Sequence, residues 1–286
     1  MDTVNLVDTL GLERIEVNLF RGTTPANAPG RIFGGQVIAQ SLLAAYETVD
    51  DRICHSLHCY FIRPGDPATP IVFEVDRSRD GGSFTTRRVV AVQHGQQIFN
   101  LAASFQVEEA GFEHQAGLPA APHWSELTDD LEVARERLKD APEEAKRWLS
   151  RPQPIELRTV GGREEGPHPD PREPRQYVWF RARAPIGADP HMHQVVMAYA
   201  SDMSLLGTAI RPHGVNWQTP GFQAASLDHA MWFHRPADFN QWHLYAQESP
   251  SASGGRGFTL GSIYAEDGTL VASTAQEGLM RMRKPR

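Results

Sequence analysis

Cysteine is nearly absent from this chain: Cys54 and Cys59 are the only two in 286 residues, so no disulfide framework is expected to hold it together. They stand five apart in a strand-like segment, where pleating sends alternate side chains to opposite faces, and they are not expected to pair. No run of about 18 apolar residues occurs, which speaks against a membrane-spanning helix. The start, MDTVNLVDTLGLERIEVN, lacks the basic-then-apolar order of a secretion signal. Basic excess is missing as well: 28 Lys and Arg against 35 Asp and Glu leave a formal charge of -7, which disfavours a nucleic-acid partner or a polybasic membrane contact. Also missing are G-x-S-x-G, H-E-x-x-H, a Walker loop and G-x-G-x-x-G, the short signatures of a serine elbow, a zinc protease and nucleotide binding. The expectation is a cytoplasmic globular protein with no nucleic-acid partner, no stable membrane insertion, no metal and no cofactor.

What is present is a pattern written twice. Residues 56–106 can be laid over 226–276: a Ser-Leu start, Arg-Pro, Gly-Gly, Phe-Thr, a single-Gly turn and a closing Ala-Ser…Gln recur in order. Each copy reads as antiparallel strands with short turns, HGQQ and EDGT being hairpin turns in which Gly can take positive φ. Each is preceded by an unusually apolar helix. In GGQVIAQSLLAAYETV, Ile38, Leu42, Ala45 and Val49 follow helical spacing, and Val37, Leu43 and Ala44 widen the apolar surface most of the way round. Such a helix must be wrapped. The second, HQVVMAYASDMSLLGTAI, carries a stripe at Val195, Tyr199, Asp202 and Leu206, which puts an acid on the face expected to meet the core.

Between the copies the composition changes. ELTDDLEVARERLKDAPEEAKRWLS reads as a charged amphipathic helix, and GGREEGPHPDPREPR as a loop that will not pack; PIELRTV and QYVWFRARAP read as strands of the second half. The division expected is 1–110 for the first half, 111–150 for a linker with a charged helix, and 151–286 for the second half. The architecture is α+β, two long buried helices each wrapped by an antiparallel sheet, the halves joined side by side.

Several polar groups invite chemistry. SLDHAMWFHRP at 226–236 alternates as a strand does, yet neither face is cleanly apolar, as expected of a strand lining a pocket or a subunit contact. CHSLHC at 54–59 suggests zinc, but on a strand Cys54 and His58 face one side while His55 and Cys59 face the other, so four ligands cannot converge. His191 and His193 lack a third partner and read as surface or helix-entry residues. His229 and His234 read as supporting groups, since the first copy has the strand without them.

Six segments in order, RIFGGQVIAQ, YFIRPGD, ASDMSLL, SLDHAMWFHRP, SPSASGGRGF and VASTAQEGLMR, resemble the acyl-CoA thioesterase II family, whose monomers are double hotdogs. The likeness spans almost the whole chain. It implies catalysis by an Asp of the second helix, a Thr or Ser opening the second-half strand and a Gln of the last strand, here Asp202, Ser226 and Gln276; Ser at 226 keeps the hydroxyl and drops a methyl. Those groups suit thioester hydrolysis: a carboxylate can orient a water and accept its proton, while a hydroxyl and a carboxamide hold both. Backbone N–H groups of Gly34, Gly35 and Gln36 at the mouth of the first helix are candidates to meet the oxyanion, and Arg63, Arg235 and Arg256 are candidates for the CoA phosphates. The substrate implied is an acyl-CoA and the assembly a homo-oligomer, dimer or tetramer. Two alternatives stay open: a hotdog enoyl-CoA hydratase or dehydratase, which would release no thiol, and a non-catalytic acyl-CoA binding module.

Overall fold

The computed structural model describes residues 5–25, 30–141, 146, 153–164 and 166–283. In chain order its elements are α1 (Leu6–Leu10), β1 (Leu12–Glu16), β2 (Leu19–Gly22), α2 (Gly34–Tyr46), β3 (Ile53–Phe61), β4 (Ile71–Asp80), β5 (Phe84–Gln93) and β6 (Gln96–Gln106). After a connecting segment come α3 (Asp130–Arg137), β7 (Ile155–Thr159), β8 (Arg175–Ala182), α4 (Pro190–Ser201) and α5 (Leu205–Ile210). The chain then runs through β9 (Phe222–Ser226), β10 (Asp228–Phe233), β11 (His243–Ser253), β12 (Arg256–Ala265) and β13 (Leu270–Met282).

Among the described residues the strands form one sheet in the order β1-β2-β4-β5-β6-β3-β10-β13-β12-β11-β8-β7, with β9 paired to β13. The halves meet where β3 runs antiparallel to β10, Tyr60 opposite Asp228 and His58 opposite Ala230. Alternation decides which side faces in: along β5 the pattern buries Thr85, Arg87, Val89 and Ala91 in turn, the period-2 signature of a half-buried strand. Helix α2 is buried nearly all round; it lies on β4, β5 and β6 and against α4, and α5 lies on β11, β12 and β13. Both helices share one apolar cluster. The arrangement is the double hotdog, drawn out as a continuous open sheet. The HGQQ turn takes the form its sequence dictates, His94 and Gly95 both at positive φ (50° and 71°), the two-residue turn whose twist suits a hairpin.

Four expectations need correction. The second apolar helix is broken: α4 ends at Ser201 and α5 starts at Leu205, although the apolar spacing runs through the break in phase. The cysteines do not face opposite ways. The irregularity in the β3–β6 pairing between Cys54 and Ser56 shifts the pleat by one residue, and both free thiols are buried. The Gly/Pro/charge loop at 161–175 does pack: Arg172 N–H donates to Arg211 O (2.9 Å) and Glu164 pairs with the Arg211 guanidinium (2.7 Å). Finally, the closing glutamines of the two copies are not equivalent in register. Both second hairpins carry a bulge, at Ile98 and at Val271, and counted from it the counterpart of Gln276 is Ala103; Gln106 lies further along. The charged helix spans Asp130–Arg137, and residues 142–145 and 147–150 of its expected extent fall outside the described residues. PIELRTV and QYVWFRARAP form β7 and β8.

Candidate active site

The helix break places the acid. Asp202 is the C-cap of α4, where the negative end of the helix dipole opposes a carboxylate. The break is held from below by two carboxamides, Gln247 buried and Gln176 half-buried: Gln247 Nε2 donates to Ser204 Oγ (2.6 Å), Gln176 Nε2 donates to Ser204 O (3.1 Å), and Thr208 Oγ1 donates to Gln247 Oε1 (2.7 Å). These bonds tie Ser204, the N-cap of α5, to β8 and β11 and so fix where the helix restarts.

The SLDHAMWFHRP segment is likewise two pieces. β9 ends at Ser226 and β10 begins at Asp228. At the kink Leu227 N–H donates to Glu277 O and Leu227 O accepts from Phe61 N–H, both at 2.9 Å, while Asp228 Oδ1 accepts from Glu277 N–H (2.6 Å). The register against β13 shifts by one residue between Ser226–Gly278 and Ala230–Ala275. That shift turns the Ser226 hydroxyl toward the end of α4.

Asp202, Ser226 and Gln276 therefore meet. Gln276 Nε2 donates to Asp202 Oδ1 at 2.6 Å, and Ser226 Oγ donates to the same oxygen at 3.3 Å. Gln276 is 1% exposed and its Oε1 has no partner among the described residues, so an acceptor stands ready beside the carboxylate. Burial pushes Asp202 up to about 6; the bonds from Gln276, Ser226 and the Gly35 N–H, together with the Arg31 charge, pull the other way. Above that value the group is an ionised base stronger than an ordinary carboxylate.

The glycine pair is required sterically. A Cβ on Gly34 would sit 2.6 Å from Asp202 Oδ2 and 2.8 Å from the Phe61 ring, and one on Gly35 would sit 2.3 Å from Tyr199 O. Only glycine lets the N-terminus of α2 close against the end of α4. Gly35 N–H points to Asp202, and Gln36 N–H donates to Phe33 O while its side chain turns to Thr23, Thr24 and Gln40. Of the three residues whose N–H groups are candidates for the oxyanion, Gly34 lines the cavity.

That cavity, about 1460 Å³, reaches from Gly34, Phe61, Asp202 and Ser226 to the underside of α3 at Val133 and Ala134. Of the three arginines considered for phosphate, Arg63 lines it. Arg235 is turned elsewhere, its guanidinium on Leu270 O and His114 O, and Arg256 is paired with Glu277 at 2.8 Å. Sequence reasoning missed Arg31, which lines the cavity beside the carboxylate although it opens the quoted RIFGGQ segment. It also missed the α3 wall, whose apolar positions are hidden in a charged sequence.

Two family models match the chain, one described as acyl-CoA thioesterase over residues 155–279 and one as acyl-CoA thioesterase N-terminal domain over residues 23–106. The chain belongs to the acyl-CoA thioesterase family. It is 40% identical to acyl-CoA thioesterase 2 of Haemophilus influenzae, covering 97% of each chain, and 40% identical to acyl-coenzyme A thioesterase 8 of Homo sapiens, covering 98% of this chain and 90% of that one. Among solved structures it is similar to acyl-CoA thioesterase II TesB2 from Mycobacterium marinum, with 43% identity, a TM-score of 0.80 and coverage of 98% and 99%.

Proposed function

We propose that this protein hydrolyses fatty acyl-CoA to free fatty acid and CoA, with Asp202 as the general base. The observation that carries the reading is one carboxylate, raised to about 6 by burial, receiving Gln276 and Ser226 at the wall of a large cavity. In the reaction a water held by Asp202, Ser226 and Gln276 Oε1 adds to the thioester carbonyl carbon while its proton passes to Asp202. The tetrahedral intermediate, its oxyanion met by the Gly34 N–H, expels the CoA sulfur, which takes the proton back from Asp202. Arg31 and Arg63, two of the arginines that line the cavity, are proposed to steer the CoA phosphates.

A hydratase would want a second acid or base facing the Asp across the substrate. The nearest histidine of β10, His229, is instead turned to Ser201 (2.9 Å). The same reading places the enzyme in the cytoplasm as a homo-oligomer, and Tyr60, 59% exposed on the outer face of the central strands, supports a contact there. Thiol release from a series of acyl-CoAs tests the function. Asp202→Asn should lower turnover by about a thousandfold while acyl-CoA binding persists; binding with no thiol release by the unaltered protein would instead make it a binding module.

A further inference from the structure

A buried polar chain runs behind the three site residues, joining α4, which ends beside Asp202, β10, which follows Ser226, and β13, which carries Gln276. Ser201, the last residue of α4, precedes Asp202. Its Oγ donates to Ala198 O (2.9 Å) and lies 2.9 Å from His229 Nε2, so with its one proton committed the hydroxyl accepts from a neutral His229 protonated on Nε2. His229 is 1% exposed on β10, the strand continuing from Ser226. Tyr245 of β11 donates its hydroxyl to Ser201 O (3.1 Å) and lies 2.8 Å from Thr274 Oγ1. Thr274 is two residues before Gln276 on the same inward face of β13. His229 Nδ1 has no partner among the described residues. A histidine that leaves one ring nitrogen bare in the core, where an apolar residue would pack without that cost, is held there by what its other nitrogen does.

We propose that Ser201, His229 and Tyr245 are positioning residues that lock the end of α4 between β10 and β13, so that the Asp202 carboxylate stays within reach of Gln276 and Ser226. The inference rests on the reading of Asp202 as the base. The geometry explains why the lock is needed. α4 stops at Asp202, and a helix end left to fray would swing the carboxylate away from a bond of 2.6 Å. A shift of about 1 Å at a reacting group costs about a hundredfold in rate.

The test is kinetic. His229→Leu, Ser201→Ala and Tyr245→Phe each remove one hydrogen-bonding group, and His229→Gln keeps an N–H donor near the Nε2 position. Expected are kcat losses of about ten- to a hundredfold in the first three, with KM within about twofold, and recovery to within about threefold of the unaltered enzyme in His229→Gln. Loosening the Gln276 and Ser226 bonds weakens the hydrogen bonding that holds the Asp202 pKa down, so the acid limb of kcat should move to higher pH in the slow variants. The groups facing Asp202 are Arg31 before α2, Cys59 of β3, Tyr199 of α4 and Tyr245 of β11. The thiol and both tyrosines are pushed upward by burial, which leaves the limb to the carboxylate; His229 itself is lowered to about 4 by burial. If His229→Leu fails to fold, Ser201→Ala and Tyr245→Phe carry the test. Folded variants with unchanged kcat, or with kcat falling only in proportion to folded fraction and the acid limb unmoved, would overturn the proposal. Should Asp202→Asn retain turnover, the failure lies in the base and not in the lock.

Discussion

The two ends of the packed helix pair α2 and α4 are built alike and used differently. Both helices end on an acid at the cap, Glu47 and Asp202. The Glu47 carboxylate points outward to Arg14 (3.3 Å, both exposed), whereas Asp202 turns inward to Gln276. At the register place of Gln276 the first half has Ala103, and opposite Ala103 stands Arg87, where the second half has Thr259 opposite Gln276. Arg87, 2% exposed, fills the space beyond its helix: its guanidinium donates to Thr48 Oγ1, Thr48 O, Arg79 O and Thr86 O and pairs with Asp80 (2.6 Å). At the same end Tyr46 donates to Gln194 Oε1 and accepts from Cys54 N–H. One end is thus a satisfied, closed network that stabilises. The other keeps a costly buried carboxylate and a bare carboxamide oxygen, and it is the open one. Stability and chemistry make opposite demands on the same position.

The contrast can be broken from either side. Gln276→Ala gives the second half the side chain of the first at that place, and turnover should fall about a hundredfold with acyl-CoA binding retained; unchanged turnover would remove Gln276 from the site. Arg87→Met should do the reverse, costing about 3 kcal/mol of stability in denaturant unfolding, because buried carbonyls lose their donor, while turnover per folded molecule stays the same. A sharper effect concerns Asp202 and stability. Its pKa is raised from 3.8 to about 6, so in this range the native state holds a proton that the unfolded chain has already released, and stability falls as pH climbs between the two values. Asp202→Asn is free of that penalty. It should unfold at higher denaturant than the parent by about 3 kcal/mol above pH 6, with the advantage gone below about pH 4.

Much of this was legible beforehand, and the failures share a physical cause. Helix α2 could be read because an element apolar on nearly every side has to be enclosed, and the glycine turns because positive φ has few takers. The three site residues entered through a family likeness; periodicity supported only Asp202, and it did so with the wrong picture, since the residue caps a broken helix instead of riding a continuous one. The break rests on Gln176 and Gln247, distant in sequence, and no local pattern announces it. The kink at Leu227 and the bulge beside Cys54 are likewise decided by pairing partners. Arg235 and Arg256 do not line the cavity because each guanidinium is taken up by groups distant in sequence, Leu270 O and His114 O for one and Glu277 for the other, which no local pattern announces. Arg63 and Arg31 reach the cavity from the other half of the molecule.

The most direct test is the pH dependence of kcat/KM for thiol release, measured on the unaltered enzyme and on Asp202→Asn. A single acid limb near pH 6, accompanied in the variant by loss of the turnover it governs, is the predicted result. A limb near 4, or one that survives in the variant, would mean that some other group activates the water.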